Sequence, residues 1–522
     1  MTDPVRRATT SDLAHAVWRQ WVEQDPDRVA ICSVVDSVVT EVTYQEFGDL
    51  ARHLSIRLVA AGAGPGSFVG GMLGRGAMPW IAALACWQIG SVYVPIHEGV
   101  GKRRIASLAE QLPLTCVVLD DDVPVAAAEA VATLNRGSAN VIEVTRDVSR
   151  AEQWTQNSRE QHVVASREGP SHDAPAVLMF TSGSTGEPKA CVISHSGLAA
   201  VHGYTQETLA RFKSRVVVNT AEPAWSYGLL TIGCSALARG VTMVVCGPRF
   251  NAEDTLRAVA ATGADTIAGA PTAFARLSGA TAVAQRTSSL RLTLTAGEPM
   301  DDRAALDWGT RSGSIVIDGY GLTEMGMAMA GPLFSPRGAV NGGRPGLRVL
   351  EGWEARLDPH GEGARNTGVL RVRTAIPLTQ RVLGSPTPEV DADGWFATQD
   401  VFTRDERGLY RFLRRADDVL LVSGVNVSGL AVQGVVEAHP KVKQAVVFGV
   451  GEPGVSRRIA VAVVPAAPNN PPSTDDLRSS IAEQIGRHAV PEVVLVLDEM
   501  PLTSNGKVDS VSLRQLADEC QA

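Results

Sequence analysis

One short stretch of the chain combines hydroxyls, glycines and a lysine at close spacing. It reads Thr181-Ser-Gly-Ser-Thr-Gly-Glu-Pro-Lys189, and apolar runs typical of β-strands precede and follow it. Glycines let backbone N–H groups wrap an anion, hydroxyls add further donors, and a lysine adds positive charge. The pattern predicts a strand, a polar loop and a second strand, with the phosphates of a nucleotide held in the loop.

A Walker A loop is the obvious alternative for such a stretch. That loop needs four residues between its first glycine and a contiguous Gly-Lys-Ser/Thr that opens a helix. Here only two residues separate Gly183 from Gly186, and Pro188 stands directly before Lys189. Spacing and context therefore argue against a Walker A loop. A glycine-rich hairpin tip with a solvated lysine is the other alternative.

Two further turns follow apolar runs at positions where an open parallel sheet binds ligands. The first contains Ala270, and the second contains Gly297, Glu298 and Pro299. Because ligands lie beyond the carboxyl ends of parallel strands, both turns are candidate walls of a binding site.

A third strand end, 315–324, carries more specific chemistry. Asp318 can accept a hydrogen bond from an exocyclic amine, and Tyr320 can stack on a ring. Thr323 can donate to a phosphate, and Glu324 can hold Mg²⁺. The alternative is a strand followed by a capped helix, with Thr323 and Glu324 in its first turn.

In this order, the stretches resemble the motifs of the acyl-adenylate-forming superfamily, which includes acyl-CoA and aryl-CoA ligases, peptide-synthetase adenylation domains and luciferases. The resemblance covers most of the chain and implies that ATP and Mg²⁺ are bound. The residues that it assigns to the nucleotide are Thr181, Ser182, Gly183, Ser184, Thr185, Gly186, Gly297, Glu298, Pro299, Asp318, Gly319, Tyr320 and Gly321.

Three later stretches extend the resemblance. Asp400 matches the carboxylate that takes both ribose hydroxyls, although Gln399 replaces the glycine of that motif. The stretch 414–424 resembles the hinge motif, in which Arg415 would bind ribose and phosphate and Asp417 would be the pivot. Lys507 matches the closing motif, whose lysine bridges the acyl carboxylate and the α-phosphate. The alternatives are a surface charge cluster for the hinge and a solvated lysine for Lys507.

Some positions depart from the family pattern after the hinge. Leu421 stands where the family usually has Lys or Asn, and 431–433, Ala-Val-Gln, replaces an acidic-Val-acidic triplet. This motif faces the active site when a thiol acceptor enters, so the departures weaken the expectation of a thioester step. Val422-Ser-Gly424, which lets the pantetheine arm of CoA pass in the CoA ligases, is kept.

The resemblance implies a reaction in which a carboxylate oxygen attacks the α-phosphorus of ATP and pyrophosphate leaves. Catalysis is then positioning and charge neutralisation, with Lys189, Lys507, Thr323 and Glu324 as the catalytic residues and Glu324 as the Mg²⁺ ligand. CoA is the expected co-substrate, and a carrier protein is the other thiol acceptor.

The acid itself is expected to be small. The stretch 222–229 lines the acyl pocket by family analogy and lacks the Phe-Asp with which adenylation domains hold an α-amino group. The pocket residues are Trp225, Ser226, Tyr227, Ala270 and Gly319. They favour a compact aromatic or short acyl group, and core packing of the two aromatic residues is the alternative.

Three functions stay open at this point. An acid–CoA ligase of small or aryl acids ranks first. Second is an adenylating enzyme that serves a carrier protein, or that activates another oxyanion such as nitrite for attack by an amine. A catalytically silent nucleotide-binding protein, which Glu324 and Lys507 oppose, is third.

Length and composition agree with this assignment. A chain of 522 residues is too long for a single hydrophobic core. We expect an N-terminal domain over 1–414 and a C-terminal domain over 415–522. A net charge of −8 without long basic runs argues against nucleic acid or a membrane as partner. Seven scattered cysteines without a CxxC pair, and the lack of an apolar leader, predict a cytoplasmic protein.

The elements that must position these residues are of α/β type. Residues 68–73, 80–89 and 91–95 alternate strand, helix and strand, which predicts a parallel sheet covered on both faces. Further strands are expected at 140–144, 215–219 and 241–246. The predicted fold is a large N-terminal domain with doubly wound sheets and a β-rich subdomain after residue 346, followed by a small, mobile α+β C-terminal domain.

Overall fold

The computed structural model describes residues 12–35, 38–97, 112–121, 140–145, 170–182, 188–247, 249–300, 302–336, 346–359, 366–375, 377–383, 390–415, 419–422, 425–450, 458–486, 489–502 and 508–520. Its strands are β1 Val29–Val35, β2 Val38–Thr43, β3 Phe68–Met72, β4 Val92–Ile96, β5 Leu114–Asp120, β6 Asn140–Val144, β7 Pro175–Ser182, β8 Pro188–Ser194, β9 Val216–Asn219, β10 Thr242–Cys246, β11 Thr266–Gly269, β12 Leu292–Ala296, β13 Ile315–Leu322, β14 Gly326–Phe334, β15 Arg348–Val349, β16 Trp353–Pro359, β17 Thr367–Thr374, β18 Thr379–Leu383, β19 Phe396–Arg404, β20 Tyr410–Arg415, β21 Val419–Val422, β22 Val425–Ser428, β23 Val442–Val450, β24 Arg458–Pro465 and β25 Val493–Val496.

Helices connect these strands in the described part of the chain. The α-helices are Gln20–Gln24, Tyr44–Ala60, Met78–Gln88, His202–Thr205, Ser235–Ala238, Ala252–Thr262, Pro271–Ser278, Val283–Arg286, Asp302–Ser312, Gly429–Glu437, Thr474–Gln484 and Ser510–Glu519. Gly197–Val201 is a 3₁₀-helix, and π-helical turns occupy His15–Arg19, Gln206–Ala210 and Tyr227–Cys234. None of the described helices combines the length and apolar content that crossing a bilayer requires.

Two large mixed sheets form most of the N-terminal part. One has nine strands in the order β15-β14-β13-β12-β11-β9-β10-β1-β2, and its six central strands, β13 to β1 in that order, are parallel. The other has seven strands in the order β18-β8-β7-β4-β3-β5-β6. Its strands β3, β4 and β5 pair in parallel, and the helix Met78–Gln88 between β3 and β4 is buried from Met78 to Trp87, as the strand–helix–strand pattern predicts.

Contacts divide the chain into two compact units. The first comprises 1–354 and 372–396, and the second comprises 355–371 and 397–522. A sheet in the order β16-β17-β19-β20 confirms the predicted β-rich region, and β23-β24-β25 form the C-terminal sheet with the helices Gly429–Glu437 and Thr474–Gln484 packed on it. The α/β class with a small C-terminal domain is confirmed. The mobility of that domain and the boundary at residues 414 and 415 stay predictions.

The helix Tyr44–Ala60 shows why the local sequence folds as it does. Thr43 accepts a hydrogen bond from the backbone of Glu46, and Glu46 accepts one in return, which completes a capping box. Phe47, Leu54 and Leu58 recur on one face and are fully buried. The strands β1, β2 and β5 were not predicted from the sequence, and β1 joins the nine-stranded sheet by pairing with β10 across more than 200 residues.

Candidate active site

The predicted phosphate loop lies at the tip of a hairpin. Strands β7 and β8 pair in antiparallel register, with Thr181 opposite Lys189 and Ser182 opposite Pro188. The strand–loop–strand prediction is therefore confirmed for the two arms. The loop residues Gly183, Ser184, Thr185 and Gly186 lie outside the described residues, and their binding of phosphate stays a prediction.

The turn after β12 leaves an open backbone surface. Gly297 has φ +93°, and a Cβ placed on it would meet no atom of the described residues within 4 Å. Glu298 Oε1 accepts a hydrogen bond from the backbone N–H of Thr272 at 3.2 Å, which ties this turn, with Pro299, to the start of the helix Pro271–Ser278. A planar ring can lie on such a flat, side-chain-free surface.

Next to this turn, two buried oxygens have no hydrogen-bond partner. Thr295 on β12 is in register with Asp318 on β13, so their side chains share one face of the sheet. Thr295 Oγ1 and Asp318 Oδ1 are both shielded from solvent, and neither has a hydrogen-bond partner among the residues that the structure describes. Unpaired buried polar atoms are costly, and they commonly mark a position that a ligand completes.

Burial also changes the ionisation of Asp318. Desolvation raises the pKa of its carboxyl group well above the usual range, and the hydrogen bond from the Gly319 backbone opposes this only in part. A protonated carboxyl group has one O–H donor and one carbonyl acceptor. Those two functions match the ring nitrogen and the exocyclic amine on one edge of adenine.

The turn after β13 connects the candidate nucleotide site to the predicted acyl wall, which comprises residues 222–229 with Tyr204, Ala270 and Gly319. Thr323 Oγ1 lies 2.9 Å from Ser226 Oγ, and the Thr323 carbonyl accepts a hydrogen bond from Thr379 Oγ1 at 2.7 Å. The Thr379 N–H donates to the carbonyl of Glu324 at 3.1 Å. The alternative of a helix starting at Thr323 is wrong, because β13 turns directly into the antiparallel strand β14.

Other residues of β13 pack closely against Tyr204 and β14. A Cβ on Gly319 would lie 2.6 Å from both Tyr204 Cε2 and Met327 Cε, so these side chains fill the space beside that glycine. Tyr320 pairs with Met329, and Gly321 pairs with Met327, in the ladder with β14. Gly319 is therefore required for close packing against Tyr204.

The acyl wall contains a buried tyrosine pair. The hydroxyls of Tyr204 and Tyr227 lie 3.0 Å apart, and their rings meet edge to face. Burial raises the pKa of both tyrosines, so both stay neutral. Trp225 lies in the turn before Tyr227, and its Nε1 is buried without an acceptor. Ala270 lies just beyond β11, at the same carboxyl edge of the sheet.

The candidate ribose-binding residues form a cross-strand pair in the second unit. Asp400 on β19 is opposite Arg415 on β20, and Arg415 Nη1 lies 3.6 Å from Asp400 Oδ1. The Asp400 side chain is 6% exposed, whereas that of Arg415 is 41% exposed. Gln399 has φ +61°, in the left-handed region that favours glycine. The left-handed backbone at this position thus explains why the family has a glycine there.

The remaining predicted residues of the second unit are only partly described. Gln433 lies on the helix Gly429–Glu437 and donates a hydrogen bond to Glu437 Oε1 at 3.1 Å. Leu421 belongs to β21, in register with Asn426, and Ala431 belongs to the same helix as Gln433. Asp417 and Lys507 lie outside the described residues, and their roles stay predictions.

Several residues of this site were not predicted from the sequence. Tyr204 packs on Gly319, Thr379 binds the backbone of the turn at Thr323, and Arg75 binds Glu222 in the acyl wall. Arg75 and Glu222 each follow the end of a strand, which was the available signal. Tyr204 lies inside a helical segment, and no spacing pattern marks it.

The comparison with known families shows the family of the chain. The profile of the AMP-binding enzyme family matches residues 18–376, and that of the AMP-binding enzyme C-terminal domain matches residues 431–507. The chain belongs to the AMP-binding enzyme family. This AMP-binding enzyme is thus an adenylate-forming ligase that uses ATP, as the sequence motifs predict.

Individual relatives agree with this assignment. Novobiocin biosynthesis protein H of Streptomyces niveus is 29% identical, over 98% of this chain and 83% of its own length. The mitochondrial acyl-coenzyme A synthetase ACSM3 of Mus musculus is 26% identical, over 84% of this chain and 77% of its own. The crystal structure of ATP-bound MatB from Rhodopseudomonas palustris has the same fold, with a TM-score of 0.82, 23% identity, and coverage of 98% of this chain and 99% of that one.

The described residues of this AMP-binding enzyme fit the nucleotide and its metal. The open surface at Gly297 and the unpaired oxygen of Asp318 suit an adenine ring with its amine. Thr323 and Glu324 directly follow β13, and each has a side-chain oxygen that could act as a ligand. Mg²⁺ is commonly held by one or two carboxylates together with substrate phosphates, so the single carboxylate Glu324 suffices.

Proposed function

We propose that the chain activates a small or aryl carboxylic acid as an acyl-adenylate, releases pyrophosphate, and transfers the acyl group to a thiol, with CoA as the favoured acceptor. The contact between Ser226 and Thr323 carries this proposal. It joins the acyl wall to the turn after β13, the strand that holds Asp318, and Glu324 is the next residue of that turn. Acid and nucleotide would therefore meet beside Thr323.

The residues divide the work of adenylate formation as follows. Thr181, Ser182, Thr323 and the loop between β7 and β8 hold the phosphates, and Asp318, Gly297 and Tyr320 hold the base. Asp400 and Arg415 hold the ribose. Lys189 and Lys507 neutralise the charge that develops between carboxylate and phosphate. Mg²⁺, held by Glu324, would neutralise the departing pyrophosphate.

The pocket geometry supports a compact acid. Tyr204 is fully buried, and with Met327 it occupies the space into which a longer acyl chain would extend beside Gly319. The hydrogen bond between Tyr204 and Tyr227 holds both rings in place. An aryl ring or a short acyl group is the substrate that this wall accommodates.

For the acceptor, two observations favour different answers. The name of the ACSM3 relative, an acyl-coenzyme A synthetase, supports CoA. The family usually has an acid at the position of Gln433, whose side chain here donates a hydrogen bond to Glu437. This departure and the departure at Leu421 favour an acceptor other than CoA. The second candidate function is therefore an adenylating enzyme for a carrier protein, or one that activates nitrite for attack by an aryl amine.

Pyrophosphate release on a panel of acids and nitrite, with CoA added or withheld, tests these functions. Release that requires an acid and rises with CoA supports the ligase. Acid-dependent release that CoA leaves unchanged supports a carrier protein, and release with nitrite plus an aryl amine supports the amine acceptor. A chain that binds ATP but never releases pyrophosphate would be the silent nucleotide-binding protein.

The proposal also includes a movement of the C-terminal domain and the cellular compartment of the enzyme. The C-terminal domain, residues 415–522, would turn about Asp417 between the two half-reactions and bring Lys507 to the first. The absence of disulfides among the seven cysteines, all within the described residues, supports a cytoplasmic enzyme.

A further inference from the structure

A charged cluster of the acyl wall has no part in the reaction described above. It brings together three residues that follow different strands: Arg75 after β3, His97 directly after β4, and Glu222 after β9. The side chains of Arg75 and Glu222 are only 11% and 23% exposed. The cluster therefore lies where the carboxyl ends of strands from both large sheets meet.

Arg75 binds one oxygen of Glu222, and the other oxygen faces His97. Its Nε and Nη2 bind Glu222 Oε1 at 2.8 and 2.5 Å, and its Nη1 donates to the Thr220 carbonyl at 2.6 Å. The guanidinium carbon of Arg75 lies over the Phe250 ring, 5.8 Å from the ring centroid, and this contact also holds the group in place. Glu222 Oε2 points to the other side, 4.0 Å from His97 Nε2, which is too long for a hydrogen bond.

A donor without an acceptor lies in the same turn. The carbonyl of Glu222 accepts from the backbone N–H of Trp225 at 3.1 Å, so the turn is closed. The Trp225 ring lies 6.4 Å from the His97 ring, and Trp225 Nε1 is buried and unpaired. The next residue, Ser226, contacts Thr323 at the reaction centre. Among the described residues, Trp225 Nε1 is thus a buried donor without an acceptor. Glu222 Oε2 is an acceptor whose recorded contact is the 4.0 Å ion pair with His97. Both belong to the turn that leads to Ser226.

We infer that Glu222 is a specificity-determining residue that selects an acid carrying a hydroxyl or amino substituent. The inference rests on the proposed function and names its substrate class. A hydroxyl group can donate to Glu222 Oε2 and accept from Trp225 Nε1, and an amino group can donate to the same oxygen. A site built to hydrogen-bond a substituent discriminates against the acid that lacks it, because the polar groups of the site are then left unpaired.

Arg75 fixes the orientation of the Glu222 side chain. A substitution that exchanges the acceptor Oε2 for a donor therefore tests the inference. In Glu222→Gln, the two N–H donors of Arg75 hold the amide oxygen in the place of Oε1. The amide NH₂ then replaces Oε2, so an acceptor becomes a donor of the same size. Acids with a donor substituent should lose their advantage, and acids with an acceptor substituent should gain one.

The experiment measures acid-dependent pyrophosphate release with benzoate, 3- and 4-hydroxybenzoate, 3- and 4-aminobenzoate, and 3- and 4-nitrobenzoate. The wild type should prefer at least one hydroxy or amino acid over benzoate by about tenfold or more in kcat/KM. Glu222→Gln should abolish that preference and raise the relative rate of the nitro acids. Glu253→Gln is the matched control, because Glu253 is also an arginine-paired carboxylate, bound to Arg286, and its loss should leave the ranking unchanged.

Two results would overturn the inference while leaving the proposed function intact. One is a wild type that uses benzoate as well as every substituted acid. The other is a Glu222→Gln variant that lowers all rates in parallel and keeps the ranking, which would make the cluster purely structural. If the protein released no pyrophosphate with any of the seven acids or with any short acyl acid, the result would instead contradict the proposed function itself.

Discussion

Ser226 Oγ and Thr323 Oγ1 lie 2.9 Å apart, which joins two segments 97 residues apart in the chain. Ser226 belongs to the wall proposed to receive the acid, and Thr323 directly follows β13, the strand that carries Asp318. In the proposed function, this hydroxyl pair would set the distance between the two substrates. Because Thr379 also holds the carbonyl of Thr323, the position of that hydroxyl is determined from two sides.

Ser226→Ala should lower kcat and change the KM for ATP little, because the Thr323 hydroxyl loses the partner that orients it. The expected loss is about fivefold, the value of one neutral hydrogen bond. A double-mutant cycle with Thr323→Val measures the coupling between the two hydroxyls by steady-state kinetics. Additive effects of the two substitutions would show that the contact does not orient Thr323.

Asp318→Asn should retain ATP binding, whereas Asp318→Leu should weaken it. Burial keeps the Asp318 carboxyl group protonated well above the usual pKa of an aspartate, so a neutral amide is a close substitute. We expect the leucine variant to lose about tenfold or more in ATP affinity by calorimetry. If the asparagine variant loses as much as the leucine variant, the group acts as a carboxylate anion.

Lys507→Ala should remove adenylation by about 10²-fold or more and leave ATP affinity nearly intact. The lysine charge is needed where carboxylate and phosphate meet in the transition state. The control is Lys443→Ala, which removes an exposed lysine of the same domain. Unchanged acid-dependent pyrophosphate release in Lys507→Ala would contradict the assignment of the closing motif.

Gln399→Gly should stabilise the protein by up to about 1 kcal/mol, because φ +61° is strained for a residue with a side chain. Gln399 is exposed, so little packing is lost with its side chain. Gln399→Ala keeps the strain and should give no gain. Urea unfolding of the three proteins measures the difference, and equal stability of the glycine and alanine variants would exclude backbone strain at this position.

His195 should make stability fall on acidification below about pH 6.5. Its ring is buried, Nδ1 accepts from the Leu13 N–H at 3.3 Å, and burial lowers the pKa to about 4. The unfolded chain therefore binds more protons than the folded chain between the two pKa values. The contribution of His195 is complete above the higher value and is lost as the pH falls towards the lower.

His195→Asn checks this expectation, because asparagine keeps an acceptor and does not titrate. The thermal midpoint of the variant should vary less with pH between 4 and 6.5 than that of the wild type. The wild-type difference across this window is at most roughly 3 kcal/mol. Parallel pH curves for the two proteins would show that the pKa of His195 is the same in the folded and the unfolded chain.

The sequence by itself determined the family, the α/β class and most of the residues assigned to ATP. Motif chemistry is local, since the glycines, hydroxyls and charges that bind a nucleotide follow one another directly at strand ends. Asp318, Gly297 and Glu298 all lie at the carboxyl edge of one sheet, as the apolar runs before them predict. The substitution at Gln399 was visible too, but its left-handed backbone was not.

Only the tertiary structure decided how the acyl wall is built. Arg75 meets Glu222 across 147 residues, and Tyr204 fills the space that the missing side chain of Gly319 leaves. Such contacts depend on which strands neighbour each other in the sheets, and no local spacing encodes that order. The segment after Leu322 shows the same limit: Thr323 and Glu324 suit the first turn of a helix, yet pairing of β13 with β14 overrides this local preference.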